Sequence, residues 1–260
     1  MAAAAASPGC DAAPAKGGER TVSAAGMERI VVVRVPAYYD GKTPRPLVVA
    51  VHGFTQSLEN AEMMFAVGRA WPEAIVAYPQ CATRRYPGFP GERLDELRDG
   101  VGVGWQVSRG ELGDRDLAFF DALREAVGRA YCVDRSRLYV LGFSNGAYFA
   151  NLLGCERPQT VAAIVAAGGG IRCEPRKPVP VMLFHGTQDP IVRVQESVDA
   201  TRVWTVTNGC RPGADSPELG CVARQGCSAE VVLCVDEGKH HYEPSFTDEA
   251  VKFFRKQRAR

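Results

Sequence analysis

The chain alternates between short runs of β-branched apolar residues and longer amphipathic stretches, and this alternation limits the possible folds more than any other feature. Runs such as RLYVL and VMLF are typical of buried strands, because β-branched and other apolar side chains pack well on a pleated sheet. The stretch DRDLAFFDALREAVGRAY places Leu117, Phe120 and Leu123 on one stripe of a helix. Repeated alternation of this kind predicts the α/β class, with a mostly parallel central sheet and helices on both of its faces.

The same patterns locate the elements and the domain. The predicted strands are ERIVVVRVP, RPLVVAVHG, EAIVAYPQ, SRLYVLGF, TVAAIVAAGG, PVPVMLFHG and EVVLCVDEG. The predicted helices are AEMMFAVGRAW, DRDLAFFDALREAVGRAY, NGAYFANLLGCE, VQESVDATRVWTVTNG and TDEAVKFFRKQ. Residues 1–25 are rich in Ala, Gly, Ser and Pro and have almost no large apolar side chain, which predicts a flexible tail. Residues 26–260 contain no internal repeat or long linker and are expected to form a single domain.

The charges of the chain nearly balance, with 31 Lys and Arg against 30 Asp and Glu and a formal net charge of +1. Such balance provides no electrostatic attraction to nucleic acid or to an anionic membrane surface, so neither is expected as a partner. No apolar run reaches the roughly 18 residues that a membrane-spanning helix needs. With 46% hydrophobic residues, the chain can bury the core of one large globular domain.

Nine cysteines are many for a chain of 260 residues. The cysteines between residues 210 and 234 have neither CxxC spacing nor a histidine among them, so no metal site is predicted. Disulfide bonds in an oxidising compartment explain the cysteines better, and the protein is expected to be secreted or periplasmic, although the N-terminus has no clear signal-peptide pattern. Because nine is odd, one thiol is expected to stay unpaired, and Cys10 in the predicted tail is the candidate.

The segment RLYVLGFSNGAYFANLL places Ser144 between Gly142 and Gly146, where a strand is predicted to turn directly into a helix. Such an abrupt turn requires small residues two positions before and two after the serine, because side chains there would collide with the backbone. This is the geometry of a nucleophile elbow, which holds the hydroxyl above the carboxyl edge of the sheet. Ser144 is therefore the candidate nucleophile, and an ordinary Ser-Asn-Gly loop is the alternative.

A nucleophilic serine needs a base, and the base needs an acid that orients it. Asp189 follows the strand VMLFHG and is the candidate acid, with a turn-forming Asp-Pro as the alternative. The loop after the last strand carries His240 and His241, of which His240 is preferred as the base. His185 lies at the end of its strand, ahead of the acid, and is expected to be structural. The predicted catalytic residues are thus Ser144, Asp189 and His240.

Acyl transfer also needs hydrogen-bond donors for the negative oxygen that develops during the reaction. The backbone N–H of Asn145, directly after the nucleophile, is the first candidate. The second is expected in the loop after the early strand LVVAV, where the backbone N–H of Phe54 is assigned and that of Thr55 is the fallback. An ordinary His-Gly turn is the alternative for this loop, but its place after a strand favours the oxyanion site.

Several blocks of the chain resemble one group of enzymes. The blocks LVVAVHGFTQS, GVGW, YCVDRSRLYVLGFSNGAYFANLLGCERP, VAAIVAAGG, FHGTQDPIV and NGC look like secreted esterases of the polyhydroxybutyrate depolymerase and feruloyl esterase group. The resemblance implies an α/β-hydrolase fold without a large lid. In this group the triad consists of the matching serine, the acid of the HGTxD block and a histidine near the C-terminal end. The group's pattern around that histidine favours His240. It also places Trp105 of the GVGW block near the substrate cleft, with a core position as the equal alternative.

The expected activity is hydrolysis of a small-molecule or polymer-linked carboxylic ester through an acyl-enzyme, without a metal or cofactor. The resemblance implies feruloyl or acetyl esters of plant polysaccharide as substrates, and a polyhydroxybutyrate chain as the alternative. A peptidase of the same fold and a non-catalytic binding protein are the rival classes. The first would usually carry a cap sequence, and the second would usually have lost a triad residue. The sequence does not indicate the oligomeric state.

The predicted fold also suggests one disulfide bond. Cys132 precedes the strand that leads to Ser144, and Cys155 ends the helix that follows it. The strand and the helix each descend roughly 15–30 Å from the elbow, given their rises per residue. Both cysteines are therefore expected at the lower edge of the sheet, and a Cys132–Cys155 bond is predicted. The pairing among the cysteines after residue 209 cannot be deduced from their spacing.

Overall fold

The computed structural model describes residues 6–85, 101–211, 213 and 218–259. Within these residues the strands are, in chain order, β1 (Gly18–Ala24), β2 (Met27–Arg34), β3 (Arg45–Val51), β4 (Ile75–Pro79), β5 (Thr83–Arg85), β6 (Val101–Val103), β7 (Val133–Phe143), β8 (Ala163–Ala167), β9 (Val181–Gly186), β10 (Gly220–Ala223) and β11 (Val231–Asp236). The α-helices are α1 (Leu58–Phe65), α2 (Val67–Ala70), α3 (Arg115–Ala130), α4 (Asn145–Glu156), α5 (Gln195–Thr207) and α6 (Pro244–Arg255).

The central sheet has the strand order β1-β2-β4-β3-β7-β8-β9-β11-β10. Its inner strands, from β4 to β11 in this order, run parallel to their neighbours, whereas β1, β2 and β10 extend the two edges in antiparallel pairs. Inner strands such as β8, in which every residue is buried, are covered on both faces and are therefore apolar without alternation. The strands β5 and β6 form a separate antiparallel ribbon.

The helices cover the two faces of this sheet. Phe120 of α3, Leu152 of α4 and Trp204 of α5 belong to the core on one face. Phe65 of α1 and Phe254 of α6 belong to the core on the opposite face. The predicted fold class, a mostly parallel sheet with helices on both faces, is confirmed. The prediction that the domain has no large lid also concerns residues 86–100, which lie outside the described residues, and it stays a prediction.

The flexible tail predicted for residues 1–25 differs from the structure, where residues 6–24 pack on the domain. The strand β1 pairs with β2 along its whole length. Before it, the Ser7 hydroxyl donates to the carbonyl of Tyr131 at 2.7 Å, and the N–H of Val133 donates to the Ser7 oxygen at 2.8 Å. Hydrogen bonds and one disulfide thus attach this segment, so its lack of large apolar residues did not reveal that it is ordered. Residues 1–5 lie outside the described residues.

The predicted disulfide between Cys132 and Cys155 is wrong. Cys132 is bonded to Cys10, and Cys155 is bonded to Cys173. The rises of the strand and the helix determine only the height of a cysteine along the sheet, whereas a disulfide also requires lateral proximity, with Cα atoms about 4.4–6.8 Å apart in most cases. Cys10 is therefore not the unpaired thiol.

The remaining paired cysteines lie between residues 210 and 234. The structure pairs Cys210 with Cys227, and Cys221 with Cys234, whose strands β10 and β11 hold them directly opposite each other. Among the described residues, Cys81 is the free cysteine, and burial raises its pKa far above the ordinary value. A buried thiol of this kind is chemically inert.

Candidate active site

Ser144 lies at the turn between β7 and α4 with φ 54° and ψ −119°, a conformation that non-glycine residues rarely adopt. The flanking glycines permit this turn. A Cβ atom at Gly142 would collide with the carbonyl oxygen of Gly146, and one at Gly146 would collide with the carbonyl oxygen of Val51. The N–H of Ser144 donates to the carbonyl of Ala167 at 2.8 Å, which ties the turn to the end of β8. The serine is thus held at the carboxyl edge of the sheet in a strained backbone.

The structure brings Ser144, His240 and Asp189 together in one hydrogen-bonded line. The Nε2 atom of His240 lies 2.9 Å from the Ser144 Oγ, and its Nδ1 atom lies 2.6 Å from Oδ2 of Asp189. Asp189 is on the loop after β9, and His240 is on the loop after β11. The ring of Phe143 packs against the imidazole with a centroid distance of 4.9 Å. Since a carboxylate only accepts, the Nδ1 atom carries the proton and Nε2 is free to accept one from the serine.

Asp189 is a buried carboxylate whose two oxygens are both occupied. Burial acts to raise its pKa, but hydrogen bonds from His185, from His240 and from the backbone N–H groups of Val192 and Ile191 outweigh that effect and hold the pKa well below the ordinary value. The two backbone N–H groups bond to Oδ1 at 2.8 Å each. The charged carboxylate therefore presents Oδ2 to the imidazole in a fixed direction.

The structure separates the two neighbouring histidines of the last loop. The Nδ1 atom of His241 lies 2.8 Å from the carbonyl oxygen of Lys239, and its Nε2 atom lies 3.0 Å from a carboxylate oxygen of Glu243. Both ring nitrogens of His241 thus contact groups outside the Ser144–Asp189 line. The order Ser144, Asp189, His240 predicted from the sequence corresponds to the side chains that the fold brings together.

The two predicted oxyanion donors belong to backbone segments that both lie next to Ser144. Asn145 is the first residue of α4, and the first N–H groups of a helix have no acceptor within the helix. Phe54 follows Gly53, and a Cβ atom on this glycine would lie 3.2 Å from Cβ of Ser144. The N–H of Thr55, the fallback donor, instead donates to the carbonyl of Val103 at 3.1 Å. The positions of Phe54 and Asn145 are therefore compatible with an oxyanion site.

Trp105 does not form the wall of a cleft, because its side chain is completely buried. Its ring stacks on Phe149 with a centroid distance of 5.0 Å, and its indole N–H donates to the carbonyl of His52 at 3.0 Å. The expected substrate contact is therefore wrong, and the alternative, a core position, is correct. The ring belongs to the apolar core that also contains Phe119 and Phe149.

The segment around Trp105 nevertheless supports the site. Its backbone N–H donates to Oδ1 of Asn145 at 2.6 Å, and its carbonyl accepts from Nδ2 of Asn145 at 3.1 Å. This segment thereby joins the start of α4 to the loop of His52, while the Val103 carbonyl accepts from Thr55 as described above. Sequence reasoning assigned Asn145 a role through its backbone alone and missed the paired bonds of its side chain. The signal available in the sequence was the amide side chain of Asn145, directly after the candidate nucleophile.

We expect Asn145→Ala to lower both activity and stability. The variant loses two hydrogen bonds and leaves the N–H of Trp105 unpaired, which costs about 1–3 kcal/mol of the free energy of unfolding. The loops that carry the oxyanion donors also lose their connection, so kcat for p-nitrophenyl acetate is expected to fall about 10-fold. Asn60→Ala, which removes hydrogen bonds at the start of α1, is the matched control and should lower stability without lowering kcat. An unchanged kcat in Asn145→Ala would contradict this role.

His52 is a buried histidine beneath the oxyanion loop, and it is held in one neutral tautomer. Its Nδ1–H donates to the carbonyl of Gly53 at 2.8 Å, and its Nε2 accepts from the N–H of Cys81 at 3.2 Å. Burial lowers the pKa of His52 to about 4, although the bond to Gly53 acts in the opposite direction. A proton added to Nε2 would face another N–H group, so the protonated ring does not fit this site.

This shift predicts a dependence of stability on pH. Between pH 6.5 and pH 4 the unfolded chain binds a proton at His52 that the folded chain does not, so stability should rise with pH across this window. The full effect of the residue is about 3 kcal/mol, from the difference between the two pKa values. Urea unfolding at pH 4.5 and pH 7.5 should therefore show a smaller difference in His52→Gln than in the wild type. The same pH dependence in both proteins would exclude His52 as its source.

The described residues contain no candidate for a metal site and no helix that could cross a membrane. Among residues 6–85, 101–211, 213 and 218–259, no group of three His, Cys, Asp or Glu side chains is arranged to hold a metal ion. In the same part of the chain, none of the helices has the length and apolarity needed to cross a membrane.

The known proteins that are similar to this chain are esterases. No protein-family model matches the chain. Over 251 residues, it is 26% identical to probable feruloyl esterase C of Aspergillus niger, a match that covers 92% of this chain and 84% of that protein. It is 27% identical over 254 residues to feruloyl esterase D of Neurospora crassa, covering 93% of this chain and 84% of that protein. Acetyl xylan esterase from Aspergillus awamori superposes with a TM-score of 0.64 at 15% identity, over 92% and 99% of the two chains.

These similarities confirm the resemblance to esterases that the sequence blocks indicated. The solved structure, at 15% identity, supports the fold alone. The fold of the chain is that of the α/β-hydrolases. The curated relatives are named as esterases and support the class of carboxylic-ester hydrolases for this chain.

Proposed function

We propose that the protein is a serine esterase that cleaves feruloyl or acetyl esters of plant polysaccharide, or similar aromatic esters. One observation carries the serine mechanism: a serine in a strained strand-to-helix turn lies 2.9 Å from an imidazole that is itself 2.6 Å from a buried carboxylate. A structural serine gains nothing from such an arrangement, whereas a nucleophile requires it.

In the proposed mechanism, Ser144 attacks the ester carbonyl while Nε2 of His240 takes the hydroxyl proton. Asp189 keeps the imidazole in the correct tautomer and stabilises its positive charge. The N–H groups of Phe54 and Asn145 donate to the negative oxygen of the tetrahedral intermediate. His240 then protonates the departing alcohol, which leaves an acyl group on Ser144. Water, deprotonated by the same imidazole, releases the carboxylic acid and restores the serine.

The substrate class is proposed from the relatives of the chain and from its disulfide bonds. The curated relatives with 26% and 27% identity are named feruloyl esterases, and that activity belongs to them. We extend it to this chain because their matches cover 92% and 93% of its length. The four disulfides of the structure fit an oxidising compartment, where enzymes that act on plant cell walls work. We accordingly propose that the protein is secreted or periplasmic.

The proposal is tested by hydrolysis of methyl ferulate, a 3-hydroxybutyrate oligomer and p-nitrophenyl acetate by the wild type and by Ser144→Ala. The expected result is a kcat/KM for methyl ferulate at least 10-fold above that for the oligomer, with both activities abolished in the variant. Preference for the oligomer would overturn the substrate class in favour of polyester degradation. If folded wild-type protein hydrolysed none of the three esters, the proposal that it is an enzyme would be overturned, and a binding protein would be favoured.

A further inference from the structure

A cluster of three polar side chains lies at the far end of the loop that follows β8. This loop, residues 168–173, carries Arg172, whose guanidinium forms two hydrogen bonds with the carboxylate of Glu196 on α5, at 2.7 and 2.9 Å. The Cζ atom of Arg172 also lies 5.0 Å from the ring centroid of Tyr148 on α4. The side chains of Arg172 and Glu196 are 47% and 28% exposed, and Tyr148 is partly buried, so the cluster is accessible to a ligand. The reaction steps proposed above use none of these three residues.

The loop that carries the guanidinium is fixed against α4, which gives the cluster a defined shape. The Nδ2 atom of Asn151 donates to the carbonyl of Gly170 at 3.1 Å, and Cys173 is bonded to Cys155 near the end of α4. A Cβ atom on Gly170 would collide with the carboxylate of Glu196, so the backbone of the loop lies directly against this side chain. Polar groups that are held in place before binding lose less conformational entropy when a ligand arrives.

The position of this loop relates the cluster to the two halves of an ester. Strand β7, which leads to Ser144, lies between β3 and β8, so the loop of the oxyanion donors and the loop of Arg172 flank the serine on opposite sides. A Cβ atom on Gly168 would lie 3.3 Å from Cε1 of His240, and the N–H of Tyr148 donates to the Ser144 carbonyl at 3.3 Å. The departing alcohol takes its proton from the imidazole and must lie beside it. An ester whose carbonyl oxygen contacts the oxyanion donors therefore directs its alcohol part toward the loop after β8.

The charges of the cluster favour a neutral ligand that is rich in hydroxyl groups. Arg172 and Glu196 balance each other, and burial together with the charge of Glu196 raises the pKa of Tyr148 to about 12, so the phenol is neutral. Hydrogen bonds from Arg172 and from Tyr148 lower the pKa of Glu196, which indicates that the three polar groups are in contact. A guanidinium only donates, a carboxylate only accepts and a phenol does both. This set matches the hydroxyl groups of a sugar, each of which donates and accepts, whereas the interior of a polyester chain offers acceptors alone.

We propose that Tyr148, Arg172 and Glu196 form a subsite for the sugar residue that carries the ester group. The subsite rests on the esterase function proposed above, and it assigns recognition of the alcohol part of the substrate to these three side chains. Sugar hydroxyls bound here hold the ester carbonyl near Ser144. The KM of a sugar ester is therefore lower than that of a simple methyl ester with the same acyl group.

The experiment compares two esters with the same acyl group and different alcohols, namely methyl ferulate and a feruloyl ester of methyl arabinofuranoside. For the wild type, we expect kcat/KM for the sugar ester to exceed that for methyl ferulate about 10-fold, because hydrogen bonds to the sugar add to binding. Tyr148→Phe removes the phenol hydroxyl and keeps the ring, and Arg172→Gln removes the guanidinium. In each variant the preference for the sugar ester should fall at least about 5-fold, mainly through a higher KM for that ester.

Each test variant has a matched control. Tyr38→Phe removes the hydroxyl of an exposed tyrosine, and Arg202→Gln breaks an exposed ion pair with Asp199 on α5. Both controls should keep the wild-type preference. Loss of activity by the same factor on both esters in the test variants would show that the cluster supports the catalytic groups and does not bind a sugar. That result, or an unchanged preference, would overturn the proposal.

Binding to the Ser144→Ala variant separates this inference from the proposed function. The variant leaves the sugar ester intact, so calorimetric titration gives its Kd, with methyl ferulate as the reference ligand. Addition of Tyr148→Phe should weaken binding of the sugar ester at least about 5-fold relative to methyl ferulate. If the wild type hydrolysed neither ester but this difference in binding were found, the esterase function would fail and the subsite would stand. Hydrolysis of both esters without any difference in binding would overturn the subsite alone.

Discussion

The variant His240→Ala is expected to lower kcat for p-nitrophenyl acetate by about 10⁴-fold, whereas His241→Ala should stay within about threefold of the wild type. The reason is the geometry of the two neighbours. The Nε2 atom of His240 lies 2.9 Å from the Ser144 hydroxyl, so it can take the proton during attack. The ring of His241 contacts Lys239 and Glu243 instead. Adjacent residues of identical chemistry therefore serve as test and matched control.

Both histidine variants should remain folded, which thermal unfolding can verify. The ring of His241 contacts Glu243 at a partly exposed position, and a surface contact of this kind contributes only about 0–1 kcal/mol to stability. The imidazole of His240 is packed against Phe143, so its removal costs more, but the core of the domain is unaffected. A large loss of kcat in His241→Ala together with a small loss in His240→Ala would show that His241 is the base. The loop after β11 would then have to rearrange in solution.

Two replacements of Ser144 should abolish activity equally but differ in stability. Ser144→Ala and Ser144→Gly both remove the nucleophile, so kcat is expected to fall at least about 10⁴-fold in each. Their stabilities should differ, because Ser144 has φ 54° and only glycine adopts this region without strain. We expect the glycine variant to be about 1 kcal/mol more stable than the alanine variant, once the greater flexibility of the unfolded glycine chain is included.

Kinetics and urea unfolding of the two Ser144 variants check both halves of this prediction. The alanine variant is the control for the loss of the hydroxyl, since it keeps the Cβ atom and with it the backbone strain. Residual kcat above about 1% of the wild type in either variant would show that another group attacks the ester. A glycine variant less stable than the alanine variant would show that the turn is not strained by the side chain.

The inner strands of the sheet could be predicted because their uniformly apolar sequences indicate that both faces are buried. The run AIVAA of β8 and the run VMLF of β9 are apolar at every position, as strands covered on both faces must be. The edge strands lacked this signal. All four residues of β10 are exposed, and β1 has only Val22 buried, so neither shows an apolar pattern. These segments are strands because each pairs with a neighbouring strand. The intrinsic propensities of their residues do not indicate this pairing.

The candidate site was predictable to the extent that it depends on position along the chain. Ser144, Asp189 and His240 each follow a predicted strand, and the carboxyl ends of parallel strands meet at one edge. The supporting contacts were not predictable in this way. The burial of Trp105, the bonds of the Asn145 side chain and the contact of His185 with the acid each depend on which loops become neighbours across the sheet.

The sequence by itself determined the alternation of strands and helices, the sharp turn at Ser144 and the order of the three candidate catalytic residues. These features are local, since they depend on side-chain size, apolar periodicity and the glycines around one turn. Only the tertiary structure decided the disulfide partners, the packing of the N-terminal segment on the domain and the contact of His185 with Asp189. The first two depend on the distance between groups far apart in the chain, and such distances are set by how the whole sheet twists and packs rather than by any single stretch of residues.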